Sequence, residues 1–336
     1  MPRTGRLHIP GGCYHLIGRG LERRDIFEHP VDKQDILTRF GLHLARTNSQ
    51  CLAWALMSNH YHFLVRLGSC PLAKLMAPVL TGFAVSYNRR YQRSGYVFQN
   101  RFTSILCDEG SHLLQLVRYI HLNPVRAGMM NTLAELGHYP WTGHAAMLGR
   151  HRQDWHFIDG ILAHFDTNRS RAVDRYLAFM SAAIETGGKV ELPGAGLVRS
   201  YAGWESTLRL RKEHQVRIGD ERILGDSNFV EKALREDEIS IESRSRLIRQ
   251  GWSLERLVNK VCAQLGVNKA DLKKRTRNDH TSRAKEMICY CGTEKLGLTA
   301  QDIAHRLDIS QPAVSRWVMK GRQRADEGQQ ITAFDE

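Results

Sequence analysis

The chain has 336 residues, 42% of them hydrophobic, which is enough for two or three domains that each bury a core. No apolar run approaches the roughly 20 residues that a membrane helix needs, and the N-terminus lacks the apolar stretch of a signal peptide. We therefore expect a cytoplasmic protein with no membrane partner.

The net charge of +13 makes nucleic acid the expected partner, because basic side chains that neutralise phosphates release counterions. On charge alone, a basic protein without such a partner remains an alternative. The seven cysteines are scattered, and Cys289-Tyr290-Cys291 has no second pair at zinc-site spacing. This pattern is typical of reduced thiols.

Strands and helices alternate in the first predicted region, residues 1–149. In chain order we expect a strand over 14–17, a helix over 24–46, a hairpin over 51–67 that turns at Ser58-Asn59, and a helix over 71–93. A strand over 104–107 follows, and then a helix that Ser111 caps and that ends before Pro124. This order predicts an α+β fold with one antiparallel sheet and helices packed against it.

An all-α C-terminal part is expected after this region. Residues 150–240 predict a helical linker or platform with turn-rich segments at 186–188 and 193–196, and they carry no chemical motif. Residues 241–325 are basic and predict a helical DNA-binding domain, followed by a flexible tail over 326–336.

Two histidines, His60 and His62, flank Tyr61 on the second strand of the predicted hairpin. Because residues i and i+2 of a strand point to the same face, both imidazoles project together. Such a pair can hold one divalent cation and leave positions for substrate oxygens and water. The alternative is two polar side chains on a solvated sheet face.

The helix before Pro124 carries Tyr119 and Asn123 one turn apart on the same face. The phenol is a candidate nucleophile, and Asn123 is a candidate metal ligand. A free phenol has a pKa of about 10, so it needs a nearby cation, which a metal on His60 and His62 would supply. In the structural alternative, Tyr119 simply packs the helix onto the sheet.

Three other tyrosines, Tyr87, Tyr91 and Tyr96, lie on or beside the predicted basic helix 71–93 and compete for the role of nucleophile. None of them has a polar partner on the helix that suits a metal. Periodicity alone does not decide between the candidates.

Four separated motifs are the most distinctive part of the sequence. They are Gly11-Gly12-Cys13-Tyr14-His15, Met57-Ser58-Asn59-His60-Tyr61-His62-Phe63-Leu64-Val65, Gly95-Tyr96-Val97-Phe98-Gln99-Asn100-Arg101-Phe102, and Arg118-Tyr119-Ile120-His121-Leu122-Asn123-Pro124-Val125-Arg126-Ala127-Gly128. In this order they resemble the REP-associated tyrosine transposases, a family of HUH single-tyrosine transposases. The resemblance covers residues 2–148, with Ser58 where the family usually has proline.

The resemblance implies a ferredoxin-like HUH nuclease fold and a role for each candidate residue. His60 and His62 match the metal-binding pair, Asn123 matches the polar residue that often joins the metal shell, and Tyr119 matches the nucleophile. The implied cofactor is Mg²⁺ or Mn²⁺. The implied reaction is transesterification, in which the tyrosine attacks a phosphodiester of folded single-stranded DNA, a 3′-hydroxyl leaves and a 5′-phosphotyrosine remains.

The implied substrates are short imperfect palindromes that form hairpins, in a bacterial, nucleoid-associated setting. Single-stranded DNA favours a basic groove with aromatic stacking. Candidate contacts are Arg89, Arg90, Tyr91, Arg93, Tyr96 and Arg101, with Arg118 and Arg126 on flanking phosphates. A solvated basic helix face remains the alternative for the first group.

Residues 299–321 fit the spacing of a helix-turn-helix, with Ala304 where the helices cross closely, Ile309 and Val314 in the core, and Asp308 in the turn. Gln311, Ser315, Arg316 and Lys320 would then face the groove of double-stranded DNA. The preceding stretch 257–296, with its basic run at 273–277, resembles the DNA-binding domain of the bacterial replication initiator. A plain helical hairpin is the alternative.

Three function classes follow from these features. The first is the DNA strand transferase, a monomer or homodimer. The second is a catalytically silent DNA-binding regulator on an HUH fold, which the intact His60, His62, Tyr119 and Asn123 disfavour. The third is a metal-dependent hydrolase that uses water, in which Tyr119 would be dispensable.

Overall fold

The computed structural model describes residues 6–68, 70–185, 220, 222–273, 279–326, 333 and 334. The turn-rich segments 186–188 and 193–196, residues 274–277 of the basic run and most of the tail 326–336 lie outside the described residues. The chain forms two compact units, Met1–Leu234 and Arg235–Glu336. In the described part of the chain, no helix is long and apolar enough to cross a membrane.

Five strands and a set of helices build the first unit. The elements are β1 (Cys13–Arg19), α1 (Pro30–Thr47), β2 (Gln50–Leu56), β3 (His60–Arg66), α2 (Leu72–Arg90), β4 (Thr103–Cys107), α3 (Glu109–His121), α4 (Asn123–Arg126), α5 (Leu133–Leu136), α6 (Gly143–Met147), α7 (Ile158–Leu162), α8 (Arg169–Glu185) and β5 (Ile223–Leu224). The helix α9 (Ser227–Arg249) follows.

The sheet has the strand order β2-β3-β1-β4-β5. The first four strands pair antiparallel and β5 joins β4 in parallel. With α1 after β1 and α2 after β3, this order is that of a ferredoxin-like fold, so the predicted α+β class is confirmed. The fifth strand was not predicted, because two residues are too short to show an alternating pattern.

Side-chain alternation divides the sheet into two buried faces. Tyr14, Leu16, Tyr61 and Phe63 belong to the core under α1 and α2. Their neighbours Cys13 and Leu64 belong to a second core, which α3 covers from the other side. The burial of Tyr61 and Phe63 under α1 and α2 therefore fixes the direction of the β3 side chains between them, which face α3.

Two helix starts differ from the prediction. The first helix begins at Pro30, not at residue 24, because residues 21–23 form a tight turn in which Glu22 and Arg23 have positive φ. His29 then closes a capping box with Asp32. The helix α3 begins at Glu109, because the Asp108 side chain accepts a hydrogen bond from the Gly110 N–H and caps it before Ser111.

The second unit is built from helices. After α9 come α10 (Leu254–Leu265), α11 (Asp279–Tyr290), α12 (Ala300–Leu307) and α13 (Gln311–Asp326). Their common core includes Leu257, Ile288, Ile303, Val314 and Val318. The described residues of this unit are thus helical as predicted, whereas β5 lies within residues 150–240, where only helices were expected.

A buried cluster of histidines ties the end of α3 to α6 and α8. The Tyr176 hydroxyl lies 2.9 Å from Nδ1 of His121 and 2.8 Å from Nδ1 of His144. All three side chains are buried. Because a hydroxyl carries one proton, it donates to one ring and accepts from the other, and burial lowers the pKa of both histidines.

Tyr176→Phe is therefore expected to destabilise the first unit by about 1–3 kcal/mol, because two buried ring nitrogens lose their partner. Urea unfolding of the full chain measures the change. Tyr96→Phe is the matched control, since that ring is 85% exposed and should change stability little. Equal unfolding midpoints for the two variants would show that the shared hydroxyl contributes nothing.

Candidate active site

The face of the sheet that α3 covers carries the predicted histidine pair. His60 and His62 lie on β3, with ring centroids 5.1 Å apart and ring planes at 81°. Between them, Tyr61 packs under the other face against Gly18 of β1, where any Cβ would lie 2.4 Å from the Tyr61 ring. The close approach of Tyr61 to the β1 backbone therefore holds this part of β3 and points both imidazoles toward α3.

Each imidazole of the pair has one ring nitrogen already engaged. Nδ1 of His60 lies 2.6 Å from the Asn59 side-chain oxygen, whose amide nitrogen donates to the Arg23 carbonyl. Nδ1 of His62 lies 2.9 Å from Nε2 of His15 on β1. Nε2 is the remaining ligand atom of both His60 and His62.

Both imidazoles of the pair are neutral near pH 7. Burial, with the nearby Arg19 charge, lowers the pKa of His60 from 6.5 to about 4. Burial also lowers the pKa of His62, reinforced by His15, His60 and Arg19. A neutral imidazole offers a nitrogen lone pair, which is the form that binds metal ions.

Tyr119 lies beside the pair. Its ring centroid is 6.0 Å from that of His62 and 6.0 Å from that of His15, and both ring pairs meet edge to face. On its other side the Arg126 guanidinium lies 4.9 Å from the Tyr119 ring centroid. The structure thus brings the predicted nucleophile, the predicted metal pair and one predicted phosphate contact together.

Asn123 has a different local role from the one expected on a continuous helix. The helix α3 ends at His121, and Asn123 begins α4 because Pro124 interrupts the helical pattern. The Asn123 amide nitrogen donates to the carbonyls of Tyr119 (2.9 Å) and Ile120 (3.4 Å). These bonds fix the amide at the end of the tyrosine helix and leave its oxygen as the candidate ligand atom.

Several of the predicted basic contacts already have partners in the protein. The Arg90 guanidinium pairs with the fully buried Asp32. Arg118 donates to the Phe179 carbonyl and stacks over the Phe179 ring at 4.3 Å. Arg93 lies over the ring of Tyr87. Arg89 and Arg101 are exposed.

An open groove lies between α2 and the segment 95–102 and contains Tyr96, which is 85% exposed, and Arg101. Its lining includes Phe98 and Phe102, and among the described residues no aspartate or glutamate lines it. The segment 95–102 pairs with the end of β1 through the Gln99 N–H and the Arg19 carbonyl.

The predicted helix-turn-helix residues lie on α12 and α13 of the second unit. Asp308 ends α12 in the left-handed conformation (φ 55°), which makes the turn. Val314 is buried, while Gln311, Arg316 and Lys320 are exposed and Ser315 is partly exposed. Lys320 lies over the Trp317 ring at 5.0 Å.

Two residues of the site were not assigned roles in the sequence analysis. His15 contacts both His62 and Tyr119, and Asn59 positions His60. A histidine at the position of β1 that faces α3, in an otherwise apolar strand, is the signal that could have identified His15. In the described part of the chain, no group of three or more His, Cys, Asp or Glu is arranged to hold a metal ion.

Part of the first unit is similar to a known protein family. Residues 10–123, about a third of the chain, match the family model described as Transposase IS200 like. This segment is therefore similar to the IS200-like transposases. A search of the curated proteins finds no match.

One solved structure is also similar, that of a REP-associated tyrosine transposase bound to a REP hairpin. The similarity has a TM-score of 0.37 at 17% sequence identity, and it covers 45% of this chain and 87% of that chain.

The charge on Arg19 is expected to hold the pKa of His60 down. Arg19→Ala should therefore raise the pKa of His60 from about 4 toward 6.5 without reaching it, because burial is the larger cause. Since the folded pKa is below the unfolded one, stability is lost as the pH falls from 6.5 toward 4. Histidine NMR titration measures the shift, with the exposed Arg24→Ala as control; an unchanged His60 midpoint would contradict the assignment.

Proposed function

We propose that the protein is a metal-dependent single-stranded DNA endonuclease and strand transferase, a transposase that uses Tyr119 as its nucleophile. The observation that carries this proposal is the position of the Tyr119 ring, edge-on to His62 on the face of the sheet that holds the histidine pair. The IS200-like match supports the transposase class.

His60, His62 and Asn123 would hold the ion, Mg²⁺ or Mn²⁺. The residues fit this role, because both imidazoles are neutral and both have Nδ1 engaged, so that Nε2 is left for a ligand bond. When bound, the ion polarises the scissile phosphodiester and offsets the charge that develops on its oxygens.

Tyr119 would attack the phosphorus. The bond between phosphorus and the tyrosine oxygen forms, the bond to the 3′-oxygen breaks, and the phenolic proton is balanced by the proton that the leaving 3′-hydroxyl takes up. The product is a 5′-phosphotyrosine and a free 3′-hydroxyl. Because one phosphodiester replaces another, the reverse reaction can join strands without a further energy source.

Arg126 would act in two ways at this step. Its guanidinium lies over the Tyr119 ring, and its buried Nε has no hydrogen-bond partner among the described residues. A cation beside the phenol favours the phenolate, and an unpaired guanidinium N–H is suited to a phosphate oxygen. Arg126 is therefore the proposed phosphate contact that lies against the Tyr119 ring.

The proposed substrate is a hairpin with unpaired nucleotides. The groove between α2 and the segment 95–102 supports this, because unpaired bases stack on aromatic side chains while cations hold the backbone. Tyr96 and Arg101 would supply these two contacts, and the lining that the structure describes has no acidic side chain to repel the phosphates.

Tyr119→Phe is expected to abolish a covalent protein–DNA adduct while leaving the ring contacts in place. The full-length protein is incubated with end-labelled single-stranded hairpin oligonucleotides and Mn²⁺, and a denaturing gel shows the adduct on the DNA's 5′ end. EDTA should also remove the adduct. Tyr87→Phe is the control, because the Tyr87 hydroxyl is bonded to Glu28 and the Asp25 carbonyl.

The same gel separates the two competing functions. Metal-dependent cleavage that persists in Tyr119→Phe without an adduct would support the hydrolase and overturn the tyrosine mechanism. Binding of hairpins without any cleavage would support the silent regulator.

We also propose that the second unit binds double-stranded DNA through α13. The left-handed Asp308 turn and the buried Val314 give α12 and α13 the features of a helix-turn-helix, and they leave Gln311, Arg316 and Lys320 exposed on one helix. A plain helical hairpin would not need exposed cations at these positions.

Arg316→Ala with Lys320→Ala is expected to weaken duplex binding, and to lower the slope of log affinity against log salt by about 1 for each phosphate that is no longer neutralised. Fluorescence anisotropy with duplex DNA measures both quantities. Arg306→Ala is the matched control, because Arg306 pairs with Glu255. An unchanged slope in the double variant would rule out α13 as the DNA-binding helix.

A further inference from the structure

A buried contact between two histidines links β1 to the metal pair. Nε2 of His15 lies 2.9 Å from Nδ1 of His62, and the rings stack at 5.1 Å. Both side chains are almost fully buried. In the strand register His15 is opposite Leu64, so His15 and His62 are diagonal neighbours on one sheet face, within reach of each other.

One proton must lie between these two nitrogens, because a neutral imidazole has one donor and one acceptor nitrogen. If His15 donated, Nδ1 of His62 would be the acceptor and Nε2 of His62 would carry the proton. That tautomer has no lone pair at Nε2. If His15 accepts, His62 is protonated at Nδ1 and its Nε2 is free for a metal.

For His60, the other proposed ligand, the tautomer follows directly from its hydrogen-bond partner. The oxygen of Asn59 can only accept, so His60 donates from Nδ1 and presents the lone pair at Nε2. The Asn59 amide is itself fixed by its bond to the Arg23 carbonyl. His60 and His62 therefore both present a lone pair at Nε2 only if His15 accepts the Nδ1 proton of His62.

His15 also lies against the proposed nucleophile. Its ring meets the Tyr119 ring edge to face at 6.0 Å, the same separation as that between Tyr119 and His62. The three rings therefore share one packed cluster. A change at His15 would shift the orientation of His62 relative to Tyr119 as well as its tautomer.

We infer that His15 is a positioning residue for the metal site. It accepts the Nδ1 proton of His62, holds that ring in the tautomer that presents Nε2, and fixes it against Tyr119. In this role His15 acts through His62. The inference rests on the proposed metal-dependent function.

The test measures Mn²⁺ affinity of the full-length protein without DNA, from the EPR signal of free Mn²⁺. His15→Ala is expected to weaken Mn²⁺ binding about 10- to 100-fold, as for other residues that support a metal-bound histidine. His15→Gln places an acceptor oxygen near the same position and should recover most of the affinity. Leu113→Ala, a buried residue of α3 in the same core, is the packing control and should bind as the wild type does.

A second measurement observes the tautomer of His62 directly in the wild-type protein. Long-range ¹H–¹⁵N NMR of the histidine-labelled wild type, with His62 assigned through His62→Gln, should show His62 protonated at Nδ1. Protonation at Nε2 would overturn the inference.

The outcomes distinguish this inference from the proposed function. Equal Mn²⁺ affinity in wild type and His15→Ala overturns the role of His15 and leaves the metal-dependent function standing. A wild type that binds no Mn²⁺ and forms no adduct overturns both.

Discussion

The pairing register of β1 and β3 is the constraint on which the site depends. It sets Ile17 opposite His62 and Gly18 opposite Tyr61, so that the Tyr61 ring is buried toward α1 and α2 against a residue without a side chain. A slip of one residue would send Tyr61 toward α3 and both histidines into an apolar core. The burial of Tyr14, Tyr61 and Phe63 therefore positions His60 and His62.

Burial on the α3 side has an electrostatic consequence. Imidazoles that are removed from water favour the neutral form, which lowers the pKa of His62, His121 and His156 as well as His60. For His62 the neutral form is what a metal ligand requires. Desolvation on this face thus keeps His60 and His62 in the neutral form, which is the form that binds a cation.

Much of this arrangement could be predicted from the sequence. His60 and His62 on a strand, and Tyr119 and Asn123 near a proline, are pairs of residues close in sequence. Such local spacings can be recognised without knowing which distant segments pair. The hairpin turn at Ser58-Asn59 was predicted for the same reason. The structure has the hairpin and the histidine strand where they were expected, whereas Asn123 begins the separate short helix α4. The features that the sequence did not reveal depend instead on pairing between distant segments: His15 is 47 positions from His62, and only the strand register makes them neighbours. The start of α1 depended on a tight turn with positive φ at Glu22 and Arg23, residue types that do not signal such a backbone. The strand β5 is recognisable only through its pairing with β4.

The basic side chains show why net charge alone does not locate a DNA-binding surface. Arg90 was predicted as a contact from its place on a basic helix, yet it neutralises a fully buried carboxylate, Asp32. Moving Arg90 to a phosphate would leave that carboxylate buried and unpaired, which is strongly unfavourable. Arg126 differs, because its partner is an aromatic ring and one of its buried N–H groups is unmatched among the described residues. The basic side chains behind the net charge of +13 therefore include cations that stabilise the fold and cations that are available to phosphates. Arg126, which lies over the Tyr119 ring, belongs to the second group.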